Sequence, residues 1–141
     1  MFVLDTNVIS ELRKVSLGTS NPNVRNWADS VEADELFISA ITIMEIEMGV
    51  LRIERRDSIQ GAILRNWLEG RILTEFDGRI LPVDTQVARL CAALHVPDKR
   101  GERDALIAAT AIVHGMTVVT RNVADFEPMG APILNPWNAA P

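Results

Sequence analysis

Phe2-Val3-Leu4-Asp5 is the stretch from which the fold can be read. Three consecutive apolar residues run without polar alternation and stop on a carboxylate. A short continuous apolar run fits a strand buried on both faces, the habit of a parallel sheet. Outward from it, the same short runs recur at residues 36–39, 79–83, 117–120 and 132–134. Helical segments are expected between them. Residues 7–14 and 23–31 read as short helices, the second with Pro22 at its start. Residues 42–56 carry Ile43, Ile46, Val50 and Ile53 at helical spacing, and residues 58–76 carry Ile59, Ile63, Trp67 and Leu68. Asp77-Gly78 marks the turn before the third strand. Residues 85–94 form another helix, and 103–114 a helix apolar on nearly every side, closed by Gly115. Residues 124–126 make one helical turn. Strands alternating with helices predict an α/β fold with a mostly parallel sheet. In such sheets ligands bind outside the carboxyl ends of the strands.

The 141 residues are 48% hydrophobic and 23% charged, which suits one globular domain over 1–141 with a flexible Pro- and Ala-rich tail from 135 to 141. A net charge of −5 excludes a uniformly basic nucleic-acid surface but leaves room for local basic patches. The single cysteine, Cys91, excludes an internal disulfide and a multi-cysteine zinc site. His95 and His114 are too far apart for a short zinc motif. With no tyrosine and 5% aromatics, a surface of stacked base platforms is not expected. The first residues lack the pattern of a signal peptide and no run approaches the length of a membrane span, so a cytoplasmic location without membrane contact is expected.

Four acids fall at the carboxyl ends of the expected strands: Asp5 after the first, Glu45 in the helix after the second, Asp104 in the first turn of the apolar helix, and Asp125 beyond residues 117–120. Carboxylates gathered there repel one another and stay ionised together only beside a cation. An oxygen-only donor set favours Mg²⁺ or Mn²⁺ over zinc, and a metal-bound water can attack a phosphodiester. Each acid also has a plainer reading. Asp5 can cap the next helix, Thr42-Ile43-Met44-Glu45 fits a capping box, and Asp104 and Asp125 suit helix N-termini. Spacing leaves Glu45 and Glu47 open: Glu47 lies nearer the apolar stripe, while Glu45 shares its face with Gly49.

Read in order, four segments resemble one family. Leu4-Asp5-Thr6-Asn7-Val8-Ile9-Ser10-Glu11 resembles the opening of a PIN domain. Ile38-Ser39-Ala40-Ile41-Thr42-Ile43-Met44-Glu45 with Gly49-Val50 resembles its second acidic motif, and Asp104-Ala105-Leu106-Ile107-Ala108-Ala109-Thr110-Ala111 its third. Val119-Thr120-Arg121-Asn122-Val123-Ala124-Asp125-Phe126 resembles the fourth, and Asn135-Pro136-Trp137 also has counterparts. The set spans essentially the whole chain and is similar to the VapC toxins of bacterial VapBC toxin–antitoxin pairs, in particular the FitB-like branch.

The resemblance implies a three-layer α/β/α fold and an endoribonuclease dependent on Mg²⁺ or Mn²⁺, cutting transfer, ribosomal or messenger RNA. It implies Asp5 and Asp104 as metal ligands and selects Glu45 over Glu47. Some relatives carry an acid where this chain has Asn122, whereas others use the acid matched by Asp125, so Asp125 is expected as the fourth ligand, directly or through water. Asn7, Thr120 and Asn122 are expected to support the ligands, with turn and cap chemistry as the alternative. The expected partners are RNA, a cognate VapB-type antitoxin, a second copy in a homodimer, and a larger toxin–antitoxin assembly that reaches operator DNA only through the antitoxin.

A net-negative nuclease must still approach a polyanion. Arg121 and the run Lys99, Arg100 and Arg103 are expected near RNA or the antitoxin, against the ordinary reading of a solvated surface. Two other readings compete. A PIN-like binding module would keep the fold without cutting. A phosphatase or receiver domain also places acids at strand ends, but Asp5-Thr6-Asn7 lacks the Asp-x-Asp nucleophile motif, and Lys14 and Lys99 do not follow strands as a receiver requires.

Overall fold

The computed structural model describes residues 1–139. Its five strands are β1 (Phe2–Leu4), β2 (Leu36–Ser39), β3 (Ile80–Leu81), β4 (Thr117–Val119) and β5 (Ile133–Leu134). They form one sheet in the order β3-β2-β1-β4-β5, and every neighbouring pair is parallel. β1 is central, with Val3 in register with Phe37 of β2 and Val118 of β4. The chain leaves β1 toward β2 and β3 and later returns to β4 and β5 on the other side. The order therefore reverses beside β1, and Asp5 stands at that crevice.

Consecutive strand residues feed opposite cores, as the two-residue period of a strand requires. Val3 and Val118 belong to one apolar cluster, and Leu4 and Val119 to the other. The first cluster is completed by α6 (Thr85–Leu94), α7 (Glu102–His114) and α8 (Val123–Phe126), whose Phe126 is fully buried. The second is completed by α1 (Thr6–Arg13), α3 (Ala40–Arg56), and α4 (Ser58–Trp67) with its continuation, and α2 (Pro22–Asp29) adds Trp27 at the margin. The layers are thus α/β/α.

Two sequence expectations change. The helix expected over residues 58–76 is broken: α4 passes through a π turn, Leu68–Ile72, into the short α5 (Leu73–Glu75). That turn buries Leu68 and Ile72 together, at 1% and 6% exposure, which links the irregularity to packing of the second core. The tail expected to be flexible from Asn135 makes packing contacts through Trp137. Pro136 is buried, the Trp137 carbonyl accepts from Asn23 Nδ2 at 2.8 Å, and the Trp137 ring lies 5.3 Å under the Arg121 guanidinium. Ala140 and Pro141 lie outside the described residues.

Candidate active site

Asp5 follows β1 directly and is the N-cap of α1, so one carboxylate serves both as cap and as part of the candidate site. Its Oδ1 accepts from the Thr6 N–H at 2.8 Å. Its Oδ2 accepts from Thr120 Oγ1 at 2.8 Å and Asn7 Nδ2 at 3.1 Å. The Thr120 hydroxyl meanwhile accepts from the Asn122 N–H at 3.0 Å and from Asn7 Nδ2 at 3.3 Å. A hydroxyl has one proton and two acceptor positions, so these two donors commit the Thr120 proton to Asp5. Asn7 closes the set by accepting from the Arg121 N–H at 3.3 Å. Burial lifts the Asp5 carboxyl above its usual range; these hydrogen bonds oppose the rise, and the nearby Glu45 charge adds to it.

Ser39 ends β2 and caps α3, its side chain accepting from the Ile41 N–H at 3.0 Å. Helix α3 starts at Ala40, which places Glu45 in the second turn and Thr42 fully buried within the first. The Thr42–Glu45 capping box therefore does not form. Glu45 Oε1 instead accepts from the Thr6 hydroxyl at 2.8 Å, and its Oε2 lies 3.5 Å from Arg103 Nη1. Glu47 is drawn to α4, where it meets Arg65 Nη1 at 2.6 Å. Of the two acids that spacing left open, Glu45 thus faces Thr6 and Arg103, and Glu47 faces α4.

Asp104 occupies the first turn of α7 and is only partly buried. Its carboxyl is nevertheless pushed up to about 6, first by desolvation and then by the charges of Asp5, Asp125 and Glu45. Asp125, in the first turn of α8, is exposed. The charges of Asp5, Asp125 and Glu45 thus all bear on Asp104. Among the described residues no three acidic, cysteine or histidine side chains stand close enough together to hold one ion as they are placed. The donor chemistry fits a hard divalent cation: carboxylate oxygens only, partly desolvated and mutually repelling.

The sequence matches the PIN domain model over residues 2–128. The chain belongs to the PIN-domain family. This PIN domain is 40% identical over 148 residues to the VapC ribonuclease Y4jK of Sinorhizobium fredii, covering 99% of this chain and 100% of that protein. It is 36% identical over 143 residues to toxin FitB of Neisseria gonorrhoeae, covering 98% and 99%. A solved structure of FitAB bound to an IR36 DNA fragment matches with a TM-score of 0.89 at 35% identity, covering 100% of this chain and 99% of that one.

The remaining expected residues divide. Asn7, Thr120 and Asn122 join Asp5 in one hydrogen-bonded set. Arg103 reaches Glu45, whereas the Arg121 guanidinium lies over Trp137, beside the site. Lys99 is exposed, and the Arg100 N–H donates to His95 Nδ1 at 3.0 Å. Sequence reasoning missed Thr6, whose hydroxyl connects α1 to Glu45; a polar side chain beside the first acid was the available signal. It also missed a groove of about 460 Å³ that opens from Thr6 and Glu45 between α1 and the α3–α4 pair, edged by Arg13, Lys14, Arg52 and Arg56. Gly49 lines the same groove, as its shared face with Glu45 suggested. No helix among the described residues is long and apolar enough to cross a membrane.

Proposed function

We propose that this PIN domain is a metal-dependent endoribonuclease toxin of a type II toxin–antitoxin pair. The observation that carries the reading is the acidic centre at the crevice beside β1: Asp5 fixed by Thr6, Asn7 and Thr120, Glu45 held by the Thr6 hydroxyl, and Asp104 in the first turn of α7 with its carboxyl raised by burial and by the neighbouring carboxylates. Asp5, Glu45 and Asp104 would hold Mg²⁺ or Mn²⁺, with Asp125 as a fourth ligand, direct or through water. A bound ion there would supply a water of lowered pKa and offset charge developing on the phosphate. The chain's own contribution is positional. Thr120, Asn7 and the Thr6 N–H aim both oxygens of Asp5, while the Thr6 hydroxyl orients Glu45.

Names of relatives support the biology proposed: a VapC ribonuclease and a FitB toxin match over nearly the full chain. RNA is the substrate, and a VapB-type antitoxin covers the site. The basic-edged groove beside Glu45 offers both an approach lined with cations. The protein works as a homodimer within a larger assembly that reaches operator DNA through the antitoxin; the structure of FitAB bound to a DNA fragment supports the DNA-bound assembly.

The test is cleavage of total cellular RNA by antitoxin-free protein with Mg²⁺, Mn²⁺ or EDTA, beside Asp5→Asn. Discrete metal-dependent fragments that disappear in the variant are expected. Failure of folded, metal-supplied protein to cut any of a varied RNA set would overturn the enzymatic reading in favour of a binding module.

A further inference from the structure

Arg103 is the only basic side chain among the described residues that forms an ion pair with any of the four acids. It sits one residue before Asp104, near the start of α7, and reaches across to Glu45 Oε2 on α3. Both Glu45 oxygens are thereby engaged, Oε1 by the Thr6 hydroxyl and Oε2 by the guanidinium. The two partners differ in what they allow. A hydroxyl that donates to one carboxylate oxygen is compatible with a cation on the other. A guanidinium beside that other oxygen opposes one, because it places a positive charge next to where the ion's charge would lie.

We infer that Arg103 is a built-in counter-cation: it holds Glu45 while no metal is bound and gives it up on metal binding. The inference rests on the metal-dependent reading above. Three features of the pair suit displacement. The Arg103 side chain is 48% exposed and Glu45 24%, so water can solvate the guanidinium once it leaves. The contact is long, at 3.5 Å, and joins one nitrogen to one oxygen rather than forming a two-pronged fork. A divalent ion brings twice the charge of the arginine and interacts with several carboxylates, whereas Arg103 pairs with one. The consequence is a centre that is less anionic when empty than its four acids imply, and a guanidinium freed at the rim of a site that must accept a phosphate.

Calorimetric titration of the antitoxin-free protein with Mn²⁺, without RNA, tests this directly. Arg103→Ala should bind Mn²⁺ about two- to fivefold more tightly, the range expected for removing one partly exposed competing ion pair. Arg103→Lys, which keeps the charge, should return most of the way to wild-type affinity. In a Glu45→Gln background the gain from Arg103→Ala should shrink by at least half, since the contact to be broken is gone. Equal or weaker Mn²⁺ binding by Arg103→Ala overturns the proposal, and so does an undiminished gain with Glu45→Gln. Absence of Mn²⁺ binding to every folded variant would overturn the metal reading itself. A failure confined to the Arg103 comparison would leave that reading standing.

Discussion

Asp104→Asn is expected to stabilise the metal-free protein while removing its activity. The Asp104 carboxyl is raised from 3.8 to about 6 by burial and by Asp5, Asp125 and Glu45. At about 1.4 kcal/mol per pH unit such a rise corresponds to about 3 kcal/mol of cost to the fold when the group is ionised. Solvent reaches part of this carboxylate, so about half of that is a fair expectation. The variant also loses a favourable charge at a helix N-terminus, roughly 0.5 kcal/mol. A net gain of about 1 kcal/mol remains, or roughly 4 °C in Tm for a chain of this size. A carboxyl whose value is higher in the folded than in the unfolded state weakens the fold wherever it is ionised. The gain should therefore be complete above about pH 6 and fade as the pH falls toward and below 3.8. Thermal unfolding of both proteins in EDTA at pH 7.5 and pH 4 measures it. Mn²⁺ should raise the wild-type Tm and leave the variant nearly unchanged. An equal or lower Tm for the variant at pH 7.5 in EDTA, or a gain undiminished at pH 4, would refute the picture of mutually repelling carboxylates.

Glu45→Gln should lower RNA cleavage by at least about a hundredfold, the scale of losing a charged group that acts on the reacting centre. Glu47→Gln should leave cleavage within about twofold and cost at most about 1 kcal/mol through its contact with Arg65, as rate assays and melting of the pair will show. Thr120→Val removes the proton committed to Asp5 and leaves the Asn122 N–H without its acceptor, for a loss of about 1–3 kcal/mol in denaturant unfolding and lower cleavage. Gly61→Ala should destabilise the α3–α4 pair by about 1–3 kcal/mol, although alanine favours helices, because its Cβ would lie 2.5 Å from Glu54 Cα; a Tm at or above wild type would show that the helices separate freely.

Much of the architecture was legible because short apolar strands and periodic helices leave local signatures. β1 and β2 fall where their apolar runs end, and the terminal Asp5 and Ser39 each cap the next helix. The long helix after α3 was legible in extent but not in its π turn, since one extra residue in a turn leaves the spacing of apolar residues almost intact. The packing of Trp137 was missed because a Pro- and Ala-rich terminus has no periodicity; its partners Asn23 and Arg121 lie far away in sequence.

The sequence alone determined which side chains could do the chemistry: four acids expected toward one edge of the sheet, no second cysteine, and a helix of small apolar residues ahead of β4. Only the tertiary structure decided how they meet. It turned Glu47 toward Arg65 and Glu45 toward Thr6, assigned the Thr120 proton to Asp5, and brought Arg103 to Glu45. The physical reason is range. Propensity and capping act over a few residues along the chain, whereas hydrogen bonds and charge coupling depend on distances in space, which exist only once α1, α3 and α7 have packed around β1.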